Sequence, residues 1–229
     1  MEAMQMSVSP EVLRNAGRFR RYLVHLVGVA VAATIGLGAS PAFAQSCPAG
    51  TGVDVEPAGD SIAGDLVSGG AAVFTAGLVS VSCSASHTTG VIPTADNPGD
   101  PVIGVLTPPS FTSCTSSIGL GATTTTNNTN GDWSLAISCG GNATLHVPMA
   151  GAVTRIATCT ITVAPTAAVD IPATWTNGAP GTLTISATLP ISHSGFACPS
   201  ATTATFAATY NITDTSNPTL NVTATEVSL

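Results

Sequence analysis

The sequence predicts an all-β chain: a single antiparallel β-sandwich or barrel-like domain, stabilised by disulfides and preceded by a signal peptide. Three observations carry this. Apolar and hydroxyl-bearing residues alternate with period 2 through most of the chain after residue 71. Clusters of Gly, Pro, Asn and Asp separate these runs at short intervals, and no helix-length amphipathic segment interrupts them. All six cysteines follow an N-terminal stretch patterned as a secretory signal.

That N-terminal stretch begins with a basic region, Arg14, Arg18, Arg20 and Arg21, and continues with an apolar, small-residue-rich run from Tyr22 to Ala39. Ala42-Phe43-Ala44 then supplies the small-x-small pattern that signal peptidase accepts, so residues 1–44 read as a signal peptide cleaved before Gln45. The Arg20-Arg21 pair occurs in both general and twin-arginine signals and leaves the export route open. From Gln45 the chain is long enough for one sizeable core, and one domain is expected. Residues 45–70, rich in Gly, Pro and Asp, read as an irregular lead-in, and residues 71–229 as the β-domain.

Within that domain Val79, Val81 and Cys83 alternate with serines, and Trp133, Leu135, Ile137 and Cys139 do the same. The pattern returns in Leu145 to Met149, Cys159 to Val163, Val169 to Trp175, Leu183 to Ile191, Ala204 to Ile212 and Leu220 to Ala224, which implies at least nine strands. Turns are expected at Asp96 to Pro101, Asn127 to Asp132, Cys139 to Asn142, Asn177 to Gly181 and Thr215 to Pro218. Thr suits an outward face, because its branched β-carbon favours the pleated backbone and its hydroxyl keeps the surface wet without charge.

Charge narrows the function classes. Only 7% of residues are charged and 4% aromatic. After Arg21 the one basic residue is Arg155, set among ten of the twelve acidic residues, so nucleic acid is excluded as a partner and binding through anionic lipid head groups, which needs clustered Lys and Arg, is not expected. An envelope or extracellular protein or glycan fits better, and the mature chain carries no transmembrane segment. The residues imply no cofactor. No C-x-x-C or H-x-x-x-H spacing suggests zinc, and neither Asp96 to Asp100 nor Asn127 to Asp132 has the register of a calcium loop.

Gly59-Asp60-Ser61-Ile62 matches the nucleophile block of GDSL-type esterases, which would make Ser61 the nucleophile of a secreted hydrolase. No Asp stands three residues before any histidine, so the expected base block is missing and a Gly-Asp-Ser turn is the better reading. His87, His146 and His193 are expected to be solvated, Trp133 and Trp175 to pack in the core, and the sequons at Asn127, Asn142, Asn211 and Asn221 to be incidental. Strict alternation with Cys159 and Ile161 would turn Arg155 inward. A strand end or bulge that resets the phase is expected instead, because an unpaired buried charge is prohibitively costly.

Val81-Ser82-Cys83-Ser84, Pro109 to Cys114, Asp132-Trp133, Cys159, Trp175-Thr176-Asn177-Gly178, Gly181-Thr182-Leu183, Cys198 and Ala204 to Tyr210 resemble, in order and spacing, a set of uncharacterised small secreted β-rich proteins of actinobacteria. The resemblance implies export and a disulfide-bonded β-fold and supplies no catalytic or binding residues. It also implies that Cys83, Cys114, Cys159 and Cys198 form a self-sufficient set, with Cys47 and Cys139 an added pair. Neighbours within the set are then expected to bond as Cys83 with Cys114 and Cys159 with Cys198. The functional expectation is an exported, non-catalytic β-domain that binds or supports something at the cell envelope or outside the cell. Its rivals are the Ser61 hydrolase and a β-barrel pore in an outer lipid layer.

Overall fold

The computed structural model describes residues 46–229, and the expected signal peptide with its cleavage site lies outside the described residues. In chain order the strands are β1 (Thr51–Glu56), β2 (Ser61–Leu66), β3 (Ala72–Ala76), β4 (Val79–Val91), β5 (Val102–Leu106), β6 (Ser110–Ser116), β7 (Ala122–Thr126) and β8 (Trp133–Ile137). They continue as β9 (Asn142–Val147), β10 (Ala152–Ile156), β11 (Cys159–Val163), β12 (Val169–Thr176), β13 (Gly181–Ser194), β14 (Thr203–Asp214) and β15 (Thr223–Ser228). The only helical element among the described residues is a 3₁₀ turn at Cys139–Gly141.

Eight strands close an antiparallel barrel in the order β2, β4, β5, β8, β9, β12, β13, β14 and back to β2. Closure leaves this ring without an unpaired edge. Three of its strands are long, with 13 residues in β4, 14 in β13 and 12 in β14, and they run beyond the ring into a second tier. There β3 bridges β14 to β4, β6 pairs with β4, and β11, β10 and β7 extend from β13. A tight hairpin joins β6 to β7 through the bridge between Thr115 and Gly121. Because every pairing is antiparallel, the register brings the turns at 77–78, 117–121, 157–158 and 195–202 to one end, the hairpin end. The opposite end carries the β1–β15 sheet, formed by the two ends of the described chain.

Alternation positions the core. Along β13, Gly181, Leu183, Ile185, Leu189 and Ile191 are buried, and along β14, Ala204, Ala208, Tyr210 and Ile212 are buried, while Thr and Ser occupy most positions between them. Each large aliphatic side chain buried this way contributes about 1.5–3 kcal/mol relative to exposure. Trp133 and Trp175 are core residues as expected, and their ring N–H groups donate to the Asn127 carbonyl (2.9 Å) and to Asn177 Oδ1 (2.7 Å).

Several expectations need correction. Residues 45–70 are not an irregular lead-in, because β1 and β2 lie within them and β2 belongs to the barrel wall. In β1 only Val53 and Val55 mark the apolar phase, too short a signal to stand out among Gly and Pro, and pairing with the distant β15 defines the strand. β4 runs well past Cys83. Ser84 and Ala85 are both exposed, so the buried phase passes from Val81 and Cys83 to Ser86 and the simple alternation breaks. Leu220 is exposed rather than inward, since its N–H closes a turn onto the Asn217 carbonyl.

Arg155 is exposed on β10, as the phase-reset reading requires. The cause is the two-residue hairpin Ala157-Thr158, with Ile156 opposite Cys159, which puts Ala152, Thr154 and Ile156 inward.

All three disulfides form in the expected pattern: Cys83–Cys114, Cys159–Cys198 and Cys47–Cys139. The first joins register neighbours on β4 and β6, and the second ties the start of β11 to the loop after β13. There Gly195 lets two hairpins approach closely, since a Cβ on it would overlap the Thr158 carbonyl oxygen. The third anchors the start of the described chain to the 3₁₀ turn. Three such bonds fit an oxidising compartment.

Candidate functional site

Closing a barrel of this size leaves its interior either filled by side chains or able to hold a small ligand. Here it is incompletely filled. A cavity of about 90 Å³ lies where the two tiers meet, lined by residues of both. Ile62, Leu135, Leu145, Ile171 and Ile185 contribute from the closed ring; Phe74, Val81, Ala152, Val163 and Leu189 contribute from the hairpin tier. Small side chains account for part of the empty space, since Ala72 and Ala152 stand at wall positions where a larger residue would reach inward.

Phe111 and Phe206 meet edge to face at the cavity, with ring centres 6.3 Å apart. Its half-buried lining members are Thr88, Thr89, Leu106 and Phe111, gathered around the connection from β5 to β6, together with Thr124 on β7 and Phe206 on β14. Hydroxyls are nearly all the polarity the lining offers. The Tyr210 hydroxyl hydrogen-bonds Ser86 Oγ at 3.0 Å. Burial pushes the phenol up to about 12 against the opposing effect of that bond, so it stays neutral across the physiological range. Such a lining favours an apolar guest and gives an ion nothing to pair with.

Ser61 opens β2, and its backbone hydrogen-bonds Ser216 Oγ and the Thr215 hydroxyl. Its register partner is Val91, four positions from His87 along β4, so the GDSI serine and that imidazole are not brought together. Two other serines are brought beside histidines. Across β8, β9 and β12, Ser134, His146 and Asp170 are register neighbours, and His146 Nδ1 lies 2.6 Å from Asp170. Across β6, β4 and β2, Ser110, His87 and Asp65 repeat the row, with His87 Nδ1 2.7 Å from Asp65. Both histidines lie on the outer wall, where the backbone N–H groups that could stabilise an oxyanion are engaged in strand pairing. Ser110 donates to the His87 carbonyl, away from the ring. These rows therefore read as cross-strand polar pairs, and His193 is exposed on β13.

The acidic loops are used for structure. Asn97 brackets the Val55 backbone, and Asp100 accepts from Ser138 Oγ and the Cys47 N–H. Among the described residues, no three His, Cys, Asp or Glu side chains come together as a metal site.

Sequence reasoning missed one carboxyl pair. Asp214 is 2% exposed, and its Oδ1 accepts the N–H groups of Ser216 (2.7 Å) and Asn217 (2.9 Å). The Asp-x-Ser-Asn-Pro turn pattern could have revealed it. Asp60 lies beside it, and desolvation, then the hydrogen bond and like charge of Asp214, then Glu56, hold the Asp60 carboxyl above its ordinary value of 3.8. A carboxyl with a raised folded pKa stabilises most below its unfolded value, and that contribution is lost as pH rises through the folded one. Asp60→Asn should therefore flatten the fall in urea midpoint between about pH 4 and neutrality; the same slope in both proteins would contradict the pairing.

No protein-family model, curated protein or solved structure matches this chain.

Proposed function

We propose that this chain is an exported, non-catalytic binding barrel that holds a small apolar ligand in the cavity between its two tiers, outside the cell or at the cell envelope. The observation that carries the proposal is the cavity itself: an interior space lined by aliphatic and aromatic side chains, with Thr hydroxyls and the neutral Tyr210 as its polar groups. Export is supported by the signal-like N-terminus and by three disulfides. The separation of Ser61 from His87 weighs against the hydrolase reading. The Thr- and Ser-rich outer wall weighs against a spanning pore, whose lipid-facing band would be apolar.

Thermal unfolding with added toluene tests this directly. A guest that binds only the folded barrel raises Tm in a saturable, concentration-dependent manner. Ala152→Leu, which fills the cavity from β10, should leave the protein folded and abolish the shift; Ala72→Leu is the second variant should the first perturb folding. No shift in the wild type, or equal shifts in wild type and a folded variant, would overturn the proposal.

A further inference from the structure

The hairpin end combines exposed apolar tips with an absence of carboxylates, whereas the other exposed large apolar residues, Val91, Ile103, Val105, Leu220 and Leu229, lie outside it. Four large apolar side chains stand exposed on three of its tips: Leu78 (99%) on the β3–β4 turn, Ile118 (53%) and Leu120 (46%) on the β6–β7 turn, and Phe196 (84%) in the loop after β13. Apolar residues at the tips of such turns gain nothing for folding, since among the described residues nothing covers them. Charge is segregated in the same direction. The segments that build this tier, 71–86, 110–126, 152–164 and 187–208, contain no Asp or Glu. All ten carboxylates after residue 45 lie elsewhere, many of them around the β1–β15 end: Asp54, Glu56, Asp60, Asp96, Asp100, Asp214 and Glu226.

The single cation of the described residues belongs to the hairpin tier. Arg155 is exposed on β10 one residue before the turn-closing Ile156, between Thr123 and Thr160. Neither of the two ion pairs among the described residues uses it.

From these observations we infer that the hairpin end docks on a lipid bilayer surface, with Leu78, Ile118, Leu120 and Phe196 entering the interface and Arg155 facing the phosphates. A fluid bilayer suits separate prongs, because lipid fills the gaps between tips, whereas a folded protein partner would need a matching pit for each. Absence of carboxylates at this end removes the repulsion and desolvation that would oppose contact with phosphates. The nearest carboxylate along β4 is Asp65, opposite His87 and eight residues from Val79, or about 26 Å of strand, beyond two Debye lengths at physiological salt. Attachment is therefore driven by apolar burial rather than by charge. It stands on a different observation from the cavity and holds whether or not the cavity takes a guest.

The test uses the full chain with its disulfides intact and vesicles of phosphatidylcholine. Phe196→Trp places a reporter on a tip, while Trp133 and Trp175 remain buried in both states. Its emission should shift to the blue on vesicle addition and be quenched by brominated phosphatidylcholine, with little change between 0.1 and 0.5 M salt. Leu78→Ser with Phe196→Ser should lower vesicle partitioning at least tenfold relative to wild type in cosedimentation. An unshifted, unquenched reporter on vesicle-bound protein, equal partitioning of the double variant, or self-association through the tips without vesicle binding would each overturn the inference.

Discussion

Replacing Cys47 and Cys139 together with serine should lower stability by about 4–5 kcal/mol, the chain-entropy value for closing a loop on the order of 100 residues. The bond spans 92 residues and is the longest-range of the three. The loss should not be spread evenly. The bond holds the start of the described chain against the 3₁₀ turn, where the Cys47 N–H and Ser138 Oγ share Asp100 and the Gly140 N–H donates to Glu226 of β15. Freeing it loosens β1 and, through their six paired positions, β15. The closed ring contains neither strand. Hydrogen exchange in the variant should show β1 and β15 losing protection before β13 and β14. Uniform loss of protection would contradict a terminal sheet that is separable from the barrel.

Trp175→Ala should cost about 3–5 kcal/mol, the range for removing a large buried aromatic side chain. The indole is 4% exposed and lies against Gly181, where a Cβ would come 2.7 Å from the ring, so the glycine is needed for that approach. Its N–H donates to Asn177 Oδ1, which also accepts the Ala224 N–H at 2.8 Å, while Asn177 Nδ2 donates to the Ala224 carbonyl at 2.8 Å. The ring thus packs the barrel and fixes the residue that holds β15. Trp175→Phe keeps much of the volume and loses the N–H, for a smaller cost including about 1 kcal/mol for the hydrogen bond. Urea unfolding measures both; an alanine variant within 1 kcal/mol of wild type would contradict the packing.

The fold class was legible because period-2 alternation is a local signal, and it survives unbroken over β8, β11 and β14 and over β13 from Gly181 to Ile191. Where the phase breaks, the signal fails. Ser84 and Ala85 hid the second half of β4, and the two-valine phase of β1 vanished among turn residues. The second tier was illegible for another reason: three long strands can belong to two tiers only through pairings between residues far apart in sequence, which no local pattern records. The cavity was equally hidden, since Ala72 and Ala152 read as ordinary small strand residues until the wall that faces them is known. Ser61 shows the opposite limit. Its four-residue match was legible, but no histidine stands beside it in register.

The most direct measurement is methyl NMR of the isotopically labelled protein titrated with toluene. A barrel that binds apolar guests between its tiers predicts saturable shifts at Ile62, Leu135, Leu145, Ile171, Ile185 and Leu189, with Ile103 and Leu229 on the surface unmoved. Shifts limited to exposed methyls, or none at saturating toluene, would contradict it.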